Sequence, residues 1–158
     1  SAIAVTFVGD TEVRPYVVLK ASLGEANDKG TGWTTRYIAS SGQPRPLTGS
    51  GSWTENSGEQ LKRTVDENLQ RAIRFMLADI AVPHARDDNS LTMVQGHFPY
   101  VKPKFQTVGY KLAEDEQSIV FIPKLGDVIV FTGVNLMDKG ATTYRPATKD
   151  DAVFKVLD

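Results

Sequence analysis

The chain has no cysteine, which removes disulfides, thiolate metal sites and a cysteine nucleophile at once. Histidine is nearly as scarce, leaving His84 and His97 as the two imidazoles. Neither charge sign dominates: the formal net charge is −1, so the electrostatic footprint of a nucleic-acid binder is missing. No apolar run approaches the ~18 residues of a membrane span. No glycine pattern forms a phosphate loop. Gly49-Ser50-Gly51-Ser52 is not the Gly-x-Ser-x-Gly elbow of a serine hydrolase, because it falls in an expected strand rather than on a strand-to-helix turn.

What is present is amphipathic. Leu61, Val65, Leu69, Ala72, Ile73, Met76 and Ile80 recur at steps of three and four, with Phe75 at the edge of the stripe. This predicts one long helix over about residues 57–81, with Arg63, Asp66, Glu67, Gln70, Arg71 and Arg74 on its solvated back. Glu59 precedes Arg63, and Glu67 precedes Arg71, by the four residues that favour ion pairs. Asn56 with Glu59, or Ser57 with Gln60, offers a capping box at the start. Pro83 marks the end by turning Val82 away from helical geometry. Asp79 lies on the apolar stripe, where it is expected to cap a loop or pair with an arginine; the alternative is a site residue at the helix end.

Ahead of the helix, alternation predicts strands at Ile3–Val8, Tyr16–Leu23, Trp33–Ala39 and Leu47–Thr54. A hairpin loop is expected at Glu25–Gly32, and a second loop at Ser40–Pro46. A three-stranded antiparallel meander leads into the helix, which covers its apolar face. After a polar linker, Pro83–Ser90, further strands are expected at Leu91–Phe98, Phe105–Leu112, Ser118–Ile122, Asp127–Leu136 and Ala152–Leu157, with Gly126-Asp127 as a tight turn. The expected class is α+β: antiparallel sheet packed against one long amphipathic helix, the second half mostly β. At 158 residues one domain is expected, with two lobes (1–82 and 91–158) as the alternative.

Residues 13–81 carry a layout of their own: Val17-Val-Leu-Lys-Ala-Ser-Leu23, a polar hairpin, Trp33 to Ser40, Gly49-Ser-Gly-Ser-Trp-Thr54, then the long helix. It resembles the soluble domains of Gram-negative envelope lipoproteins, those around the curli-secretion lipoprotein and the N-terminal domain of the translocation protein TolB. The resemblance implies a periplasmic, non-enzymatic assembly or interaction module. It carries over no functional residues, since these domains share no catalytic motif. The start at Ser1-Ala2 fits either a tag remnant or an export signal removed upstream.

Candidate site residues follow from chemistry alone. Trp33 and Trp53, expected on adjacent strands, either stack in the core or form an exposed platform for a protein or glycan partner, bordered by Arg45 in its proline-rich loop. His97 ends a strand and joins them as a candidate binding residue. His84 stands near Asp87 and Asp88, but one histidine beside two loop carboxylates lacks a zinc ligand set, so neither metal nor cofactor is expected. Three functions compete. The first is an envelope binding or assembly module, to which a self-complementary sheet edge would add homo-oligomerisation. The second is a small hydrolase using His84 or His97 with Asp87, Asp88 or Asp127. The third is a carrier of a small apolar ligand held between helix and sheet.

Overall fold

The computed structural model describes residues 1–24, 33–40, 42–124 and 133–157, with Trp33 described by its backbone alone. The alternating segments ahead of the helix form β1 (Ala2–Phe7), β2 (Glu12–Leu23) and β3 (Trp33–Ser40), an antiparallel meander as expected. A two-residue strand, β4 (Arg45–Pro46), pairs with the start of β2. The helix α1 (Glu55–Ala81) follows. Beyond the linker come β5 (Thr92–His97), β6 (Lys104–Glu114), β7 (Ser118–Pro123), β8 (Val134–Asp138), β9 (Thr143–Pro146) and β10 (Phe154–Val156).

These strands make one ten-stranded sheet in the order β1-β2-β3-β8-β7-β6-β5-β9, with β4 beside β2 and β10 beside β6. The class is therefore α+β, one helix on a sheet. The sheet is antiparallel except at its middle, where β3 and β8 run parallel with Tyr37 opposite Val134 and Ala39 opposite Leu136. Strands from both sides of the Pro83–Ser90 linker meet there. The hairpin expected at Glu25–Gly32, the Gly126-Asp127 turn and the first part of the strand expected from Asp127 lie outside the described residues.

Each face of the sheet carries its own core. Under α1 lie Val17, Tyr37, Ala39, Val120, Val134 and Leu136, with Ala72 from the helix, all buried. Removing side chains of this kind from water stabilises by roughly 1.5–3 kcal/mol each for the larger aliphatics. On the other face Val94, Phe98, Phe105, Phe121 and Met137 pack inside the curled second half. The curl is tight: a Cβ on Gly96 in β5 would stand 2.9 Å from Met137 Cε in β8, three strands away in the sheet order.

Several expectations need correction. Leu47–Thr54 is not a strand but a run of turns. Gly49 and Gly51 adopt φ of 97° and 71°, and alternating glycines leave too little side chain on one face to reward pairing. The capping boxes do not form either. Asn56, Ser57 and Gly58 sit in the left-handed region (φ 50°, 59° and 73°), so regular turns begin after Gly58. The N-cap position falls to Thr54, without a side-chain cap bond, while the Glu55 carboxylate accepts from the Gly51 N–H at 3.0 Å. The far end behaves as expected: Val82 is extended and its N–H closes on the Ala78 carbonyl.

The largest correction concerns the helix face. Fully buried positions are Thr64, Asn68, Arg71 and Ala72, whereas Leu61, Leu69 and Ile73 are half-buried. The helix is turned by about 95° from its apolar stripe, toward Arg71, at 100° per residue. The expected Glu67–Arg71 and Glu59–Arg63 pairs give way to other partners: Arg71 bonds Asn68 and Ser118, and Arg63 bonds Gln60. Strand β9 was not anticipated.

Candidate functional site at the end of the helix

Asp79 is placed by the last turns of α1 on the face that meets β3. Beneath it, fully buried Tyr37 donates its hydroxyl to Asp79 Oδ2 at 2.8 Å. Pro83 stops the helix and folds the chain back, which brings His84 over the same carboxylate. The His84 backbone N–H donates to Asp79 Oδ1 at 3.2 Å, and His84 Nδ1 lies 2.8 Å from that oxygen. Phe75, one turn earlier, stacks on the imidazole with centroids 4.9 Å apart and packs on Tyr37 at 6.1 Å.

The electrostatics follow from this geometry. Burial by itself would push the Asp79 carboxyl up, but the hydrogen bonds from His84 and Tyr37 outweigh it and hold the group below its ordinary value. Tyr37 is pushed up, by burial first and by Asp79 second, so it stays a donor. An ionised carboxylate only accepts, so Nδ1 carries the hydrogen and Nε2 is left for another partner. The Asp79 and His84 side chains are 13% and 27% exposed, enough to be reached from solvent. They open on a cleft of about 300 Å³ whose wall also includes Leu23, Thr35, Ile80, Pro83 and Arg86.

The residues singled out from the sequence lie elsewhere. Trp53 is 1% exposed, its Nε1 donates to the Val13 carbonyl at 2.7 Å, and Arg45 lies over its ring at 5.6 Å. It is a core residue, so the platform reading fails for it. The Trp33 side chain lies outside the described residues. Its backbone pairs with Leu23 whereas Trp53 bonds Val13, opposite ends of β2 about 33 Å apart at 3.3 Å per residue, so the two backbone positions are not neighbours. His97 Nδ1 faces the Lys102 carbonyl at 3.3 Å, at the end of β5.

His84 does meet a carboxylate, though not the ones expected. Asp88 is taken by Lys124 at 2.6 Å and by the Tyr110 hydroxyl, and Asp87 accepts from the Asn89 N–H. Asp127 lies outside the described residues. Among the described residues no group of three His, Asp or Glu is arranged to hold a metal ion.

A second polar inclusion lies farther up the same helix. Arg71, 4% exposed, donates through Nε to Ser118 Oγ at 2.9 Å and through Nη1 to Asn68 Oδ1 at 2.8 Å, with Nη2 also on Ser118. Burial pulls its guanidinium down from the usual value against an upward pull from Asp115 and Asp138. The group borders a more polar cleft of about 420 Å³ with Gln60, Glu67, Glu116 and Asp138. No family model, curated protein or solved structure matches the chain.

Proposed function

We propose that the protein is a non-enzymatic binding module of the cell envelope, with the cleft beside Asp79 and His84 as its ligand seat. The observation that carries this reading is the composition of the cleft: Leu23, Ile80 and Pro83 give it an apolar wall, and Thr35, His84 and Arg86 a polar corner. That mixture suits a small molecule or a chain end with a short apolar body and one anionic group. Arg86 supplies the opposite charge, while the charge on Asp79 is already held by Tyr37 and His84. The expected carrier of a small apolar ligand merges with this reading, because the cleft lies between the helix end and the sheet. The envelope setting is supported by the cysteine-free sequence and by the layout of residues 13–81.

Calorimetric titration with hexanoate, hexanol and hexylamine tests the seat. Hexanoate should bind at least ten times more tightly than the other two, and Arg86→Ala should erase the preference. Equal binding of all three, or of none, would remove the cleft as an anion-selective seat. Fractionation of the source cells tests the compartment, and recovery of the chain in the cytosol would remove the envelope setting.

One observation favours hydrolysis as a second reading: Nδ1 held by Asp79 leaves His84 Nε2 oriented as a general base. Among the described residues Thr35 is the one hydroxyl residue in the cleft wall, so water would be the nucleophile. Turnover of short p-nitrophenyl esters that disappears in His84→Gln would replace the binding reading with this one.

A further inference from the structure

The sheet has two ends, and they are built differently. At one, β9 carries Arg145, clamped to Asp151 through two nitrogens, and Pro146, which has no N–H to offer. Charge and proline are the usual guards of an edge strand. At the other end, β1 has neither: Ser1 to Gly9 contains no charged side chain and no proline. Its register with β2 runs unbroken from Ala2 opposite Val18 to Phe7 opposite Val13, so no bulge twists the edge away.

β1 is also apolar on its open face. Ile3, Val5 and Phe7 stand opposite Val17, Pro15 and Val13, which puts them on the face that bears α1. They are nevertheless 64%, 40% and 55% exposed. The rotation of α1 explains why. Arg71 reaches toward Ser118 in β7, so the opposite flank of the helix, with half-buried Leu69 and Ile73, turns toward β1. Among the described residues β1 pairs with β2 alone, and its outer edge lies beside its own apolar, exposed stripe.

We propose that β1 is a dimerisation edge, where a second copy of this chain adds its own β1 in antiparallel pairing across a two-fold axis. With the axis at Val5, Ile3 of each copy lies opposite Phe7 of the other, and Val5 meets Val5. Self-pairing usually opposes like charges; this strand has none, so the edge is complementary to itself.

Sedimentation velocity from about 1 to 300 µM tests this. The apparent mass should rise from 17.3 kDa toward twice that value. Val5→Lys, on the solvent side of the strand, should hold the protein at the monomer mass. Thr143→Lys on the β9 edge should leave dimerisation unchanged. Hydrogen exchange of the β1 amides gives a readout free of any variant, with protection growing as concentration rises. A wild-type chain that stays monomeric throughout, a Val5→Lys dimer, or β1 exchange that ignores concentration would each overturn the proposal, leaving the edge for a different partner.

Discussion

The two polar inclusions beneath α1 occupy the same helical face three turns or less apart, yet they serve opposite ends. Around Arg71 the helix buries a charge almost completely, with a serine hydroxyl and an asparagine amide as partners, at the border of a polar cleft. Around Asp79 it buries a charge partway and leaves an imidazole facing a cleft. A group whose three nitrogens are all bonded within the fold holds it in register; one that leaves an imidazole nitrogen toward a cleft can also receive something. The difference comes from chain geometry. Arg71 sits mid-helix over continuous sheet, whereas Asp79 sits where Pro83 forces the chain to turn.

If the Arg71 inclusion is a staple, breaking it should have the largest effect. Arg71→Met leaves Ser118 and Asn68 buried without a partner and should cost about 2–4 kcal/mol in urea unfolding. Adding Ser118→Ala should return part of that loss, because a buried acceptor without its donor is worse than neither. A single-variant cost under about 0.5 kcal/mol would erase the contrast between the two inclusions.

Asp79→Asn comes next, at about 1–2 kcal/mol, since it weakens bonds to a tyrosine, an imidazole and a backbone N–H together. It also carries a pH signature. The folded carboxyl is held below the ordinary 3.8, so its contribution is fully present above that value. It is lost as pH falls through the lower folded value, where the native state must take up the proton. The wild type should therefore lose more stability than Asp79→Asn between neutral pH and pH ~3, as followed by urea melts. Parallel acid slopes would show that the Asp79 bonds are not formed in solution. Tyr37→Phe removes a single donor and should cost about 1 kcal/mol. Arg86→Ala should leave the melting curve where it is and change hexanoate binding alone, which separates receiving from holding most cleanly.

Much of the fold was legible because it depends on local pattern. Strict alternation located β1 and β3 close to their observed limits and β2 from Tyr16 on, short of its start at Glu12, and Pro83 marked the helix end. Leu47–Thr54 misled because glycine can occupy an apolar phase of the alternation without contributing a side chain to bury. Strand β9, four residues ending in proline, is too short to show a period. The helix stripe gave the right element and the wrong face, since an arginine reads as solvated unless the serine that receives it, 47 residues on, is known. The site shows the same limit. Asp79 and His84 are five residues apart across a helix stop, and Tyr37 joins them through tertiary packing 42 residues away in sequence. An acidic residue on an apolar stripe was a local signal, read first as a loop cap or an arginine partner and only second as a site residue; the loop-capping bond to the His84 N–H is what the structure shows of it.

The parallel seam between β3 and β8 has a consequence for the order in which the chain assembles. The runs β1–β3 and β5–β8 are each built from neighbours in sequence, but the seam joins residues about a hundred positions apart, and such long closures dominate the folding barrier. Tyr37 lies on the seam itself, so its bond to Asp79 should form after the rate-limiting closure. Tyr37→Phe should then speed unfolding and leave the refolding rate unchanged in stopped-flow experiments. The cleft would thus be among the last parts of the molecule to exist and among the first to be lost.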